Sequence, residues 1–320
     1  MPRVPLCLLA VALGCGVAFP SHATASASTP TVFAPGVISG PAHDAAPAFS
    51  RDNHTVVFGR SDADRATLLV ARRTAAGWSR PIVAPFSGRR HDMEPAFAPD
   101  GSWLVFVSDR PVHAGDTPLR GHYQGGEYTG GHVWQVKRLG DGWGKPEPLP
   151  AEVNASDATF APSVRPMAAC ISCIRSRPPA NSGCSARPAV MDITARRCRC
   201  LSATAVSDVD PAVSSDESFI VFGSSRRPGH DMELFIAYRD HGRWSTPVWM
   251  GEQVNSRGSD AEARLSPDGH TLYFSSERLA GHAGNRRPAW DNGKYNIWQV
   301  PLAPWLPGRS AAGDAASRSR

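Results

Sequence analysis

The stretch Ser259–Arg278, SDAEARLSPDGHTLYFSSER, decides how the chain is read. It has an acidic start at Asp260, a turn at Pro267-Asp268-Gly269 and a β-prone run over Thr271–Phe274. Proline presets φ, aspartate caps the turn and glycine tolerates positive φ, so strand–turn–strand follows. The unit recurs as DMEPAFAPDGSWLVFVSDR at Asp92–Arg110 and DVDPAVSSDESFIVFGSSR at Asp208–Arg226. A shorter copy, DAAPAFSRDNHTVVF, spans Asp44–Phe58. The steps from Asp44 to Asp92 and from Asp208 to Asp260 are 48 and 52 residues, a period that marks a repeat architecture.

Each repeat carries four apolar segments. The first holds the leading aspartate and, in three copies, a proline (Pro47, Pro95, Pro211). The second follows the turn, at Thr55–Phe58, Trp103–Val107, Phe219–Phe222 and Thr271–Phe274. The third is Thr67–Ala71, His132–Lys137, Glu233–Tyr238 and Tyr295–Val300. The fourth opens on Gly77-Trp78, Gly142-Trp143 or Arg243-Trp244 and continues to Pro81, Pro146 or Pro247. Four short strands per unit, Gly/Pro punctuation and no helical period describe propeller blades. The last unit stops after its third strand, and Thr31–Ser39 resembles the missing fourth. The expected fold is therefore an all-β propeller over residues 31–306, with five four-stranded blades and the N-terminal strand closing the last one. Six blades is the alternative count.

The third unit begins normally at Phe160-Ala161-Pro162-Ser163-Val164 and then changes. From Arg165 to Cys200 there is no aromatic residue, one acid (Asp192), seven arginines and five of the chain's seven cysteines. The spacings Cys170-x-x-Cys173 and Cys198-x-Cys200 approach zinc-ligand spacing, but no histidine stands near them, so no metal site is expected. An irregular insertion is one reading of this segment. The reading that accounts for more is translation out of frame over residues 165–205. Allowed codons for Arg165–Ser172, read one frame over, give Ala-Asp-Gly-Ser-Leu-Tyr-Phe, the missing turn and second strand. Compensating shifts near Val164 and Ala203–Ser207 restore register. As written, the third unit is expected to lack its inner alternating strands and to lower stability.

The 320 residues suffice for a sizeable core, and the formal charge of +5 is spread over interleaved acids and bases. Without a basic cluster, no nucleic-acid partner is expected. Arg3, the apolar Leu6–Phe19 and Ala23-Thr24-Ala25 form a secretory signal over residues 1–25, too short to span a bilayer. Export to the periplasm or beyond is the expectation. Anchoring through Cys15 is the lesser alternative, because Leu13 stands where a lipoprotein box has a small residue. The tail 307–320 is small and polar, and disorder is expected there.

The Ser259–Arg278 motif resembles the TolB-type WD-like β-propeller repeat, and the copies at Asp44, Asp92 and Asp208 look like the same unit. The resemblance implies an exported, usually non-catalytic propeller that binds proteins or other ligands in the cell envelope. No separate N-terminal α/β domain like that of the family's best-known member is expected.

On the face where first strands begin and second-to-third loops open, the candidate ligand-binding residues are Asp44, His91, Asp92, Asp208 and Asp260, with His122, Tyr123, His230, Asp231, Trp290 and Asp291 from the loops. The competing structural reading pairs the recurring aspartates with Arg110, Arg226 and Arg278, and assigns Trp78, Trp143 and Trp244 to packing between blades. A glycan hydrolase would need two carboxylates ~5–9.5 Å apart, for which Asp44, Asp92, Asp208 and Asp260 are the candidates. A third reading is a frameshifted product without function. No Gly-x-Ser-x-Gly, His-Glu-x-x-His or phosphate loop is present, and no catalytic residue, cofactor or metal is expected. The expected partner is an envelope protein, a small molecule or a glycan, bound by a monomer without a transmembrane segment.

Overall fold

The computed structural model describes residues 29–62, 65–113, 115–123, 126–164, 170–174, 186–187, 195–196, 206–280 and 287–306. The expected signal and C-terminal tail and most of 165–205 lie outside the described residues, and the reading-frame hypothesis lies there with them.

Four antiparallel sheets form the blades of a propeller. The first runs His43–Phe49, Thr55–Ser61 and Ala66–Thr74, with Gly77–Trp78 and Ile82–Val83 both pairing on the third strand. The second runs Asp92–Phe97, Trp103–Ser108 and His132–Leu139, edged by Gly142–Trp143 and Glu147–Pro148. Asp208–Val213, Phe219–Ser224 and Glu233–Asp240, edged by Arg243–Trp244 and Val248–Trp249, make the next. The last contains Asp260–Leu265, Thr271–Ser276 and Asn296–Pro301. Its fourth strand is Thr31–Val32, with Thr31 opposite Gln299 and Val32 opposite Trp298. The expected closure by the N-terminal strand is present, and it supplies the fourth strand that the last repeat lacks.

The third unit departs from expectation. Thr159–Val164 forms its first strand and pairs with Cys170–Ile174, so the inner strand does form. Backbone pairing needs no particular side chains, and the two isoleucines of CISCI suit a strand. A further two-residue pair joins Ala186–Arg187 to Ala195–Arg196. Also missed was a hairpin inside the long second-unit loop, where Arg120–Tyr123 pairs with Gly126–Thr129.

The second strands are continuous apolar runs because they are buried on both faces. Val56, Val57 and Phe58, like Leu104, Val105 and Phe106, are fully enclosed. The core therefore lies between sheets. Phe58, Val56 and Leu69 of the first blade meet Tyr273 and Ile297 of the last, together with Phe33 and Ile38 of the closing segment. The opposite face of the first blade packs Val57 and Leu68 against Phe106 and Trp134 of the second. Trp78 and Trp143 sit at these seams as expected. Trp78 packs on Phe33 and Phe49, and Trp143 on Phe86 and Phe97. Each also receives an arginine on its face, Arg73 and Arg138, as Trp244 receives Arg239.

The turns use the chemistry read from their sequence. In the motif of the last blade, Ser266 Oγ donates to Asp268 Oδ1 at 2.5 Å, while that oxygen accepts from His270 N at 3.0 Å. Gly269 takes φ +72°. Ser50/Asp52 and Ser214/Asp216 repeat the arrangement.

Every innermost strand also carries a β-bulge that the sequence did not announce. Register slips between Ala45 and Ala48, Met93 and Ala96, Phe160 and Ser163, Val209 and Ala212, and Ala261 and Arg264. At each slip one non-glycine residue adopts positive φ, from +48° to +55°: Ala46, Glu94, Ala161, Asp210 and Glu262. Such a conformation costs ~1–3 kcal/mol and re-aims the side chain.

Candidate functional site

The four leading aspartates are each held by an arginine. Arg60 Nε donates to Asp44 Oδ1 at 2.6 Å, Arg110 Nη2 to Asp92 Oδ1 at 2.7 Å, Arg226 Nη2 to Asp208 Oδ1 at 2.6 Å and Arg278 Nη2 to Asp260 Oδ1 at 3.3 Å. The carboxylates of Asp44, Asp92 and Asp260 are completely buried, and that of Asp208 nearly so. The guanidinium of each arginine lies over a phenylalanine of its own second strand: Phe58, Phe106, Phe222 or Phe274. Three of the arginines also donate to a carbonyl ahead of the blade, at Ile38, Phe86 or Val254. The pair thus clasps the end of one repeat to the start of the next. Arg60 was missed as a member of this set because it stands two residues after its phenylalanine rather than four. Burial raises the Asp44 carboxyl above its ordinary value, and the hydrogen bond and charge of Arg60 oppose that.

In front of these clasps the same face opens into a pocket of about 470 Å³. Its wall includes His43, His91, Glu94, Glu262, Tyr128 and Tyr295. The inner-strand bulges bring Glu94 and Glu262 here. Glu94 accepts a hydrogen bond from Ala161 N, and Glu262 Oε2 accepts from Ser275 Oγ at 2.6 Å. Asp210, at the equivalent bulge, is buried, and its Oδ1 has no hydrogen-bond partner among the described residues. Burial pushes the Tyr295 hydroxyl well above its ordinary value, and the charges of Glu262, Glu277 and Asp210 add to this. The Tyr295 hydroxyl donates to Ser259 Oγ at 2.6 Å, and its ring centroid lies 4.6 Å from that of His43. Burial lowers both His43 and His91, with the neighbouring aspartates acting in the opposite sense. His91 Nδ1 accepts from Ala66 N at 3.1 Å, which places the other ring nitrogen as the donor of the neutral form. Two neutral imidazoles between carboxylates offer donors and acceptors for hydroxyl or amine groups.

Of the expected site residues whose side chains are described, the structure brings only His91 to this pocket. Asp44, Asp92, Asp208 and Asp260 lie behind it in their ion pairs. His230 and Asp231 occupy the next-to-last blade's loop, where Arg227 and His230 both approach the buried Glu233. Trp290 packs edge-on against Trp298, and buried Asp291 accepts from Ala280 N at 2.7 Å, tying its own loop together. The backbone of His122 and Tyr123 belongs to the extra hairpin, and their side chains lie outside the described residues. Glu94, Asp210, Glu262 and Tyr295 were not singled out. The available signal was an acid two residues after the leading aspartate in three repeats, which matters only once the bulge is known.

Among the described residues, no three His, Cys, Asp or Glu side chains are grouped to hold a metal ion, and no helix is long and apolar enough to cross a membrane.

No protein-family model matches the sequence, and no curated protein matches it. The molecule is a β-propeller. Solved structures similar to it include a TolB-type protein of Agrobacterium tumefaciens, 16% identical, covering 78% of this chain and 77% of that one at TM-score 0.40. TolB from Acinetobacter baumannii is 15% identical with TM-score 0.25, and 81% of this chain covers 43% of that one. The α-L-arabinofuranosidase PaAbf62A from Podospora anserina is 12% identical over 86% of this chain and 96% of that one, at TM-score 0.43. These are likenesses of fold, and the assignment of blades rests on the strand pairing described above.

Proposed function

We propose that the protein is an exported, non-catalytic propeller that binds a polar ligand or protein segment of the cell envelope in the pocket bounded by His43, His91, Glu94, Glu262 and Tyr295. The observation that carries this reading is the division of labour among its acids. The recurring aspartates are consumed by arginine clasps, whereas the bulge-borne Glu94 and Glu262 line an open pocket. A glycan hydrolase built on Asp44, Asp92, Asp208 and Asp260 has no support from their placement, because an acid–base pair must meet substrate and these are sealed. The secretory signal over residues 1–25 supports export, and the ligand-binding body is residues 31–306. The ring has five blades in this reading, the third incomplete, supported by five inner strands sharing one bulge. It acts as a monomer.

The test is capture from envelope extract by immobilised protein, in parallel with Glu262→Gln and His43→Gln. Recovery of one partner by the parent chain, reduced at least tenfold by either change, is the expected result. Equal recovery by all three proteins overturns the site. Glycan turnover that disappears in Asp92→Asn overturns the non-catalytic reading.

A further inference from the structure

The opposite mouth of the channel, where the first-to-second-strand turns gather, holds a cavity of about 630 Å³. Its wall is mixed: Phe49, Phe97, Trp103, Val164 and Leu265 supply apolar surface, and polar groups make up nearly as much of the lining. Arg51 and Asp100 at its rim are both exposed and close enough that the arginine's charge acts on the carboxyl.

Arg264 is the buried charge in that wall. It follows the bulge of the last blade's inner strand, is about nine-tenths buried, and makes one hydrogen bond, from Nη1 to Ala263 O at 2.9 Å. Its Nε and Nη2 are screened from bulk water and have no hydrogen-bond partner, and no carboxylate lies within ion-pair distance among the described residues. Every other buried arginine discussed above is answered by an acid; this one is not. A buried, unpaired guanidinium is costly to the folded state. The two open donors are also the pair that lies parallel along one edge of the guanidinium, the edge that matches the two oxygens of a carboxylate. The flexible arginine stem lets that edge swing to meet a ligand in the cavity.

We propose that this cavity is a second binding site, for an organic monocarboxylate on an apolar or aromatic body, with Arg264 as its anchor. One cation balances one carboxylate, and the aromatic wall suits the body that carries it. A phosphate dianion would carry one more charge than Arg264 balances. The site is on the other face from the His43–Glu262 pocket, so it stands or falls independently of the function proposed there.

The experiment titrates the full chain with N-acetylphenylalanine, with the matching amide N-acetylphenylalaninamide, and with inorganic phosphate, read by calorimetry and thermal unfolding. N-acetylphenylalanine is expected to bind at least tenfold more tightly than either of the others and to raise the melting temperature. Arg264→Met is expected to abolish that rise, and to be no less stable than the parent without ligand, since it removes an unpaired buried charge. Arg264→Lys, which keeps charge but loses the fork, is expected to weaken binding at least threefold. Equal binding of acid and amide to the parent chain overturns the proposal whatever the variants do. So does an unchanged affinity in Arg264→Met, tighter binding of phosphate, or no binding of any probe at millimolar concentration.

Discussion

Asp92 and Arg110 show why the most regular residues of a repeat need not be its working ones. Their ion pair is buried, also takes in Ser87 and Ser108, and ties Phe86 O of the first blade to the second. Removing one partner strands a charge: Arg110→Ala is expected to cost about 3–5 kcal/mol in urea unfolding. The double change Asp92→Leu/Arg110→Met, which leaves no lone charge, is expected to cost less than Arg110→Ala alone. A larger loss in the double variant would mean that the pair's own attraction dominates. His43 and His91 behave differently with pH. Burial holds both below their ordinary value, so the unfolded chain binds protons more readily than the folded one. Their contribution is complete above the unfolded pKa of about 6.5 and is lost as pH falls below it through the folded value. Stability measured from pH 7.5 down to pH 5 should therefore drop, and His43→Gln should make the slope shallower. A parallel slope in the variant would refute this assignment.

At the scale of elements, legibility depended on whether a signal was local. The turn at Pro267-Asp268-Gly269 was readable because proline, aspartate and glycine each act within four residues. The strand Thr31–Val32 was readable by analogy with another fourth strand. The bulges at Ala46, Glu94, Asp210 and Glu262 were not, because a single extra residue leaves the alternation of a short strand almost unchanged. That omission hid the pocket: without the bulge, Glu94 and Glu262 read as ordinary strand acids. The hairpin Arg120–Thr129 was also hidden, and Gly130 shows what holds it. A Cβ at Gly130 would stand 2.7 Å from Asp157 O and 2.8 Å from the Leu119 carbonyl carbon, both backbone atoms that cannot rotate away. Gly130→Ala is expected to cost about 1–3 kcal/mol and to expose the loop 111–131 to limited proteolysis. Unchanged cleavage would show that the hairpin accommodates the methyl group by shifting as a unit.

For the whole molecule, closure is the controlling fact. Phe33, carried by the segment that follows Thr31–Val32, meets Phe49 and Trp78 of the first blade and Tyr273 of the last, so one side chain joins both ends of the ring. Phe33→Ala is expected to cost about 3–5 kcal/mol, and a cost below 1 kcal/mol would show that the ring does not depend on this latch. The third unit tests the ring from its other side. Its inner strand Thr159–Val164 is in place with the same bulge as its neighbours, so the site for a complete sheet is already laid out. Aromatic and β-branched residues that fill the second and third strands elsewhere are what the frame-shifted reading restores, beginning with Ala-Asp-Gly-Ser-Leu-Tyr-Phe in place of Arg165–Ser172. A sheet gaining such strands buries apolar surface at roughly 25 cal/mol per Å². The frame-restored chain is therefore expected to melt several degrees higher than the chain as written, at about 2–4 °C per kcal/mol for a domain of this size. Resequencing the gene and melting the two proteins side by side checks both halves of the argument. A gene intact in the present frame, together with no gain in melting temperature on restoration, would establish the segment as a genuine insertion, its cysteines and arginines belonging to the native protein.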